Sequence, residues 1–208
     1  GAKFTQPGDL QVFDKGRSVL VQGYANDYTT FLLTEHGGDV VVHKTAGAPR
    51  SSSMDRFVVD HNGNLWSRGM RRKDELAIYS HAGDEPAYIA PGGRPLFCDS
   101  KNRIWIVSET GGVVRVHLPD ADTSLTIDGA TWSSRLAETP DGRIFLFHSK
   151  GMSELVVSGK GKSLLLSERN HWVEGFPIGK GTTCFFSDTH GSLWILIPGQ
   201  LLRFAPPK

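Results

Sequence analysis

The apolar residues of this chain fall into short runs: IWIV at 104–107, VVRV at 113–116, SLTI at 124–127, IFLF at 144–147, LVV at 155–157 and LLL at 164–166. Gly, Asn, Asp, Ser and Pro separate them, which is the punctuation of short β-strands joined by tight turns. The first part of the chain carries similar runs at 19–21, 30–33 and 39–43, and the next at 75–79 and 85–90. No stretch of a dozen residues has apolar positions at helical spacing. Many of the runs are apolar on successive residues and do not alternate, so both faces of their sheets must be covered. With no helices to supply that cover, other sheets must do so.

A repeat organises these strands. FVVDHNGNLW at 57–66, LFCDSKNRIW at 96–105, LAETPDGRIF at 136–145 and FFSDTHGSLW at 185–194 share one pattern, with a fainter copy in LQVFDKGRSV at 10–19. Aligning the aromatic slot on Val19, Trp66, Trp105, Phe145 and Trp194 gives intervals of 47, 39, 40 and 49 residues. That is the period of a four-stranded propeller blade. Within the motif, Asp60, Asp99 and Asp188 open a four-residue turn in which a carboxylate accepts backbone N–H groups. Gly63, Gly142 and Gly191 close it at a position that needs a positive φ, and Asn102 is the best non-glycine there. Thr139-Pro140-Asp141-Gly142 is the same turn in other residues.

The predicted fold is all-β: a β-propeller of five four-stranded blades occupying about 8–50, 51–92, 93–130, 131–178 and 179–208 of one domain. The last unit has three strands, and Lys3-Phe4-Thr5 at 2–6 is expected to supply the closing one; the alternative is a fragment of a longer propeller. In a radial array each sheet packs between two others and leaves short, protected edges. A β-sandwich is the competing architecture, and it predicts more alternation and no period near 40.

The D-x-x-G-x-[L/I]-W repeats at Asp60–Trp66 and Asp188–Trp194, and at Asp99–Trp105 with one change, resemble the two-component-regulator propeller repeat. More loosely they resemble senescence-marker-type (SMP-30) lactonases and streptogramin lyases. The regulator resemblance implies an extracytoplasmic sensing module, periplasmic or extracellular, but the chain is shorter than such proteins. The lactonase resemblance implies a metal among axial acidic and Asn side chains, and no such set maps onto this sequence.

Composition narrows the function classes. Of 208 residues, 38% are hydrophobic and 10% aromatic, enough for a real core, and 23 Lys and Arg against 22 Asp and Glu leave a net charge of +1. That balance gives no electrostatic basis for nucleic-acid or anionic-membrane binding, and no run is long enough to cross a bilayer as a helix. Two cysteines, Cys98 and Cys184, make neither a disulfide framework nor a zinc site and read as small buried residues.

The turns occupy one face, so ligands are expected on the other, formed by loops at 22–28, 67–74, 108–112, 148–152 and 198–200 and by the inter-blade segments. There Arg68, Arg71, Arg72 and Lys73 make the densest basic cluster, and Tyr24, Tyr28, Trp132, His171 and Trp172 are aromatics able to stack on a ligand or plug the space between blades. Glu109, His148, His171 and Glu174 are the titratable set on that face, and no nucleophile elbow, zincin motif or phosphate loop occurs. The resulting expectation is a non-catalytic module binding a protein, peptide or glycan, without a cofactor. The alternative is a small propeller hydrolase or lyase using axial carboxylates with Ca²⁺ or another divalent ion.

Overall fold

The computed structural model describes residues 7–13, 18–23, 29–36, 39–44, 58–68, 75–79, 87–89, 92–108, 110–118, 121–159, 163–173, 184–197 and 199–207, with the backbone alone described up to residue 44. Chain contacts divide it into two compact units, Gly1–Pro95 and Leu96–Lys208.

The first unit contains two antiparallel four-stranded sheets. Sheet A runs β1 (Pro7–Phe13), β2 (Ser18–Gly23), β3 (Thr29–His36), β4 (Asp39–Lys44), and sheet B runs β5 (Val58–Val59), β6 (Leu65–Arg68), β7 (Leu76–Tyr79), β8 (Ala87–Ile89). Each strand pairs with its sequence neighbours, the meander expected when every connection is a short hairpin.

The second unit holds three more meanders. Sheet C is β9 (Arg94–Cys98), β10 (Ile104–Val107), β11 (Val113–Leu118) and β12 (Ala121–Thr126), its first strand starting just ahead of the unit boundary. Sheet D is β13 (Arg135–Glu138), β14 (Ile144–His148), β15 (Gly151–Ser158) and β16 (Leu165–Trp172), and sheet E is β17 (Cys184–Ser187), β18 (Leu193–Ile197) and β19 (Gln200–Phe204). The first strands β13 and β17 lie side by side, as do the last strands β12 and β16. The sheets therefore stack with like strands adjacent. The strand expected from Lys3-Phe4-Thr5 lies outside the described residues.

Two apolar layers hold the stack. Trp105, Val107, Val114 and Val116 of sheet C meet Leu136, Ile144, Leu146 and Leu155 of sheet D. On the other side of sheet D, Ala137, Phe145, Phe147 and Met152 meet Phe185, Leu193, Ile195 and Ile197 of sheet E. Strands β10 and β14 are buried on every residue, as continuous apolar runs require. Each such side chain contributes about 2 kcal/mol. Sheet E departs from the pattern: β18 reads LWILI, yet Leu196 is 39% exposed. The cysteine expectation also needs correcting, since Cys98 is half-buried and Cys184 is exposed. Cys184 sits opposite Leu196 in the β17–β18 register.

The repeated turn has the expected chemistry. Oδ1 of Asp60 accepts the N–H groups of Asn62 and Asn64 at 2.8 and 2.9 Å, and Asp99 and Asp188 accept two N–H groups each in the same way. Gly63, Gly142 and Gly191 all have φ of 82°, and Asn102 takes the same place at 58°. Thr139 behaves differently from its aspartate counterparts. Its hydroxyl donates its single proton to Asp141, with the Arg143 carbonyl at 3.1 Å the alternative acceptor, because a hydroxyl carries a proton where a carboxylate carries lone pairs.

Candidate functional site

The loop ends of sheets C and D, opposite the turns, form one hydrogen-bonded platform. The Gly112 N–H donates to the Ala130 carbonyl at 2.7 Å and the Ile127 N–H to the Gly112 carbonyl at 2.8 Å, tying the 108–112 hairpin to the 127–134 loop. The Ser149 N–H and hydroxyl both donate to the Gly129 carbonyl, at 3.2 and 2.9 Å, tying that loop to the next hairpin. Gly129 is required there: its φ is 87°, and a Cβ would stand 2.8 Å from Lys150 Cγ and 3.0 Å from His148 Nδ1. The exposed ion pair Asp128–Lys150 spans the same gap. On this platform the Trp132 side chain is 48% exposed and Val173 49%.

Beside it, three strands of sheet D bring together His148, Ser153, Glu168 and His171. Ser153 lies opposite His171 in the β15–β16 register, and His148 ends β14. His148 Nε2 is 2.9 Å from Ser153 Oγ, Ser153 donates to Glu168 Oε1, and His171 Nδ1 is 3.0 Å from the same carboxylate oxygen. The Lys150 N–H faces His148 Nδ1 at 3.4 Å, which assigns the proton of a neutral His148 ring to Nε2 and makes it the donor to Ser153. His148 is buried, and that burial, reinforced by the neighbouring His171, lowers its pKa to about 4. The two imidazoles pack edge to face at 5.2 Å.

This geometry sets the chemistry. The Ser153 proton is directed at a carboxylate, His171 Nδ1 lies 3.4 Å from Ser153 Oγ but pairs more closely with the same carboxylate, and Ser153 is fully buried. It is not an activated nucleophile. Solvent reaches the His171–Glu168 pair, whose side chains are 34% and 33% exposed, while His171 Nε2 faces the Lys150 carbonyl at 3.4 Å. It lies on β16, the last strand of the sheet. Among the described residues no three His, Cys, Asp or Glu side chains are arranged to hold a metal ion.

Trp172 faces the other way, inserted between sheets D and E against Phe145 and Phe204 at centroid distances of 6.0 and 5.3 Å. Glu154, buried in β15, takes a bidentate Arg143 guanidinium at 2.9 Å and the Asn170 amide at 2.7 Å, and Arg143 holds its carboxyl below the usual range. On the turn side, a cavity of about 380 Å³ opens between the Thr139 and Asp188 turns, lined by Arg143, His190, Ser192 and Arg203. In the first unit, half-buried Arg68 ends β6 opposite Leu76. Tyr24, Tyr28, Arg71, Arg72, Lys73, Glu109 and Glu174 lie outside the described residues. Of the anticipated site residues, the structure thus brings His171 together with His148 and leaves Trp132 exposed on the adjoining loop. Asp128, Lys150, Ser153 and Glu168 were not anticipated. The Asp128-Gly129 turn and the Lys150-Gly151 hairpin tip were the available signals for the first two.

No family model matches the chain, so the regulator-type repeat remains a resemblance of motif. No curated protein matches either. Solved structures do. A catalytically inactive variant of virginiamycin B lyase from Staphylococcus aureus, with quinupristin, aligns at 13% identity and TM-score 0.63 over 97% of this chain and 70% of its own. The periplasmic gluconolactonase of Pseudomonas aeruginosa aligns at 17% and 0.59 over 98% and 67%. YCF48 bound to D1 peptide aligns at 15% and 0.53 over 97% and 66%. These likenesses establish a β-propeller fold, and the part of the lyase that this chain does not span is about two repeat periods long.

Proposed function

We propose that the chain is a β-propeller binding module whose loop face receives a protein, peptide or glycan ligand. The observation carrying this reading is Trp132: a half-exposed indole on a loop tied by backbone hydrogen bonds to both neighbouring hairpins. A large aromatic presented rigidly, with a charged pair beside it, has the make-up of an interface anchor, and a preorganised loop loses little entropy on binding. The neighbour bound to D1 peptide is in keeping with it. Peptide and glycan arrays probed with the protein and with Trp132→Ala test the reading. A ligand whose binding falls at least ~10-fold in the variant, with the melting temperature unchanged, is the expected result. A ligand held equally by both proteins defeats it.

A second reading has its own observation. The carboxylate-held, solvent-reached His171 fits a propeller lyase or hydrolase, and the lyase and gluconolactonase likenesses fit that class at least as well as a binding role. Turnover of a panel of lactones and cyclic depsipeptides, lost in His171→Ala, would establish it. Melting with and without EDTA and added Ca²⁺ reports a metal that binds the native state alone.

A further inference from the structure

Each sheet of the second unit carries a guanidinium over its aromatic slot, but the three are held differently. In sheet C, Arg103 at the fifth place of the turn motif lies over Trp105 and pairs with Asp99. In sheet D, Arg143 at the same place lies over Phe145 and pairs with Glu154, which stands opposite Phe145 in the β14–β15 register. Sheet E has Ser192 at the fifth place, and Arg203, opposite Trp194 in the β18–β19 register, supplies the guanidinium instead. The position that gives sheet D its carboxylate thus gives sheet E its cation. Nε and Nη2 of Arg203 both donate to the Ser192 hydroxyl oxygen, at 3.1 and 2.9 Å. Among the described residues of the second unit, no carboxylate pairs with Arg203 and its Nη1 makes no hydrogen bond.

We propose that Arg203 anchors a carboxylate-binding site on the turn side, which takes a small organic acid into the cavity of about 380 Å³ between the Thr139 and Asp188 turns. Every residue lining that cavity comes from the turns of sheets D and E or from β19 and the segment after it, all within the second unit. The ligand class follows from the repeat. The other two guanidinium groups over aromatic slots each hold a carboxylate, so the partner that completes the third is of the same kind, and the planar fork of arginine matches two carboxylate oxygens. The volume is near the lower end for small-molecule pockets, which suits an acid of a few carbons. The exposed His190 ring and the Thr189 hydroxyl stand in the same lining as further hydrogen-bonding groups. Asp141, the carboxylate in the lining, is engaged by the Thr139 hydroxyl, and Arg143 is taken by Glu154 and the Pro207 carbonyl. That leaves Arg203, among the described lining residues, as the guanidinium open to a ligand. The site lies at the turn ends of the strands, away from the Trp132 loop, and does not depend on what that loop binds.

The test is an NMR titration of the 208-residue chain with sodium acetate at constant ionic strength, following the Nε–H resonances of Arg203 and Arg143 and the indole N–H of Trp194. The expected result is a saturable shift of the Arg203 and Trp194 signals while Arg143, already held by Glu154, stays unmoved. Acetamide, which has the shape of acetate without its charge, should produce no shift, and sulfate should bind more weakly than acetate. Arg203→Gln should weaken acetate binding at least ~10-fold, and Arg203→Lys, which keeps the charge and loses the fork, should recover part of it. The titration of the unaltered protein decides the matter by itself if the glutamine variant does not fold. The proposal is overturned by the lack of a saturable shift, meaning that the guanidinium is already held in solution, by an equal response to acetamide or sulfate, or by undiminished binding in folded Arg203→Gln. An N-acetylated tripeptide with a free terminal carboxylate, bound more tightly than acetate and succinate, would replace the small acid by a chain terminus and so overturn it as well.

Discussion

The indole Nε1 of Trp105 donates to Oδ2 of Asp99 at 2.8 Å, joining the first residue of the turn to the strand six residues on. The same bond joins Trp66 to Asp60 at 3.0 Å and Trp194 to Asp188 at 2.9 Å. It explains why the fourth turn changes at two places together. Where Thr139 replaces the aspartate, Phe145 replaces the tryptophan, so no buried indole N–H is left without an acceptor. Arg103, Arg143 and Arg203 lie 5.7, 5.0 and 5.6 Å from the aromatic centroids, covering all three slots of the second unit.

Asp99→Ala strands the Trp105 indole, the Arg103 guanidinium and two backbone N–H groups in a buried place, and should cost roughly 3 kcal/mol or more in urea unfolding. Asp99→Thr with Trp105→Phe reproduces the fourth turn. Its cost should fall short of the sum of the two single changes by about 1 kcal/mol. Strict additivity would refute the coupling.

His148 makes stability pH-dependent. Burial lowers its pKa from 6.5 to about 4, so the fold holds the neutral ring while the unfolded chain takes up a proton near 6.5. This contribution to stability is complete above pH 6.5, declines as pH falls and levels off below about 4. An imidazole NMR titration should place the midpoint near 4, and His148→Gln should flatten the stability profile across that window.

Glu154 acts in a lower window. Arg143 depresses its pKa, so the stabilisation is complete above the ordinary value of 4.5 and is lost as pH falls through the lower folded value. Glu154→Gln should cost about 2 kcal/mol at pH 7 by leaving Arg143 without its carboxylate, and the penalty should shrink toward pH 3. Equal penalties at both pH values, read by urea unfolding, would show that the ion pair is not the source.

The glycines divide into two classes. Gly142 has open space where a Cβ would go, so Gly142→Ala carries only the strain of its φ, roughly 1 kcal/mol, and Gly142→Asn less, as Asn102 shows in the equivalent turn. At Gly151 a Cβ would stand 2.2 Å from the Trp172 carbonyl oxygen, and alanine there should cost several-fold more. Thermal melts of the three variants rank them.

Much of the fold was legible because its signals are local. A carboxylate at the first turn position and Gly or Asn at the last fix a hairpin within a few residues, and β10 and β14 followed from IWIV and IFLF. The pairing of Asp99 with Trp105 was also present in the spacing, but it becomes visible only once the joint change at Thr139 and Phe145 is seen as compensation. The cluster around Ser153 was less accessible. It depends on the register of three strands and on the irregularity between Glu154 and Leu155, which shifts β16 relative to β15 and which no residue pattern announces. Cys184 was misread because its neighbours on β17 are apolar, and an apolar run does not by itself tell a buried position from an exposed one.

Because each Asp-to-indole bond closes only when its turn is formed, Trp66, Trp105 and Trp194 are optical reporters distributed one per sheet over sheets B, C and E. A carboxylate beside the indole N–H of each gives its emission a local cause. With the other four tryptophans of the chain replaced by phenylalanine, each of these three follows the opening of its own hairpin, and the order in which the blades come apart becomes measurable by fluorescence alone.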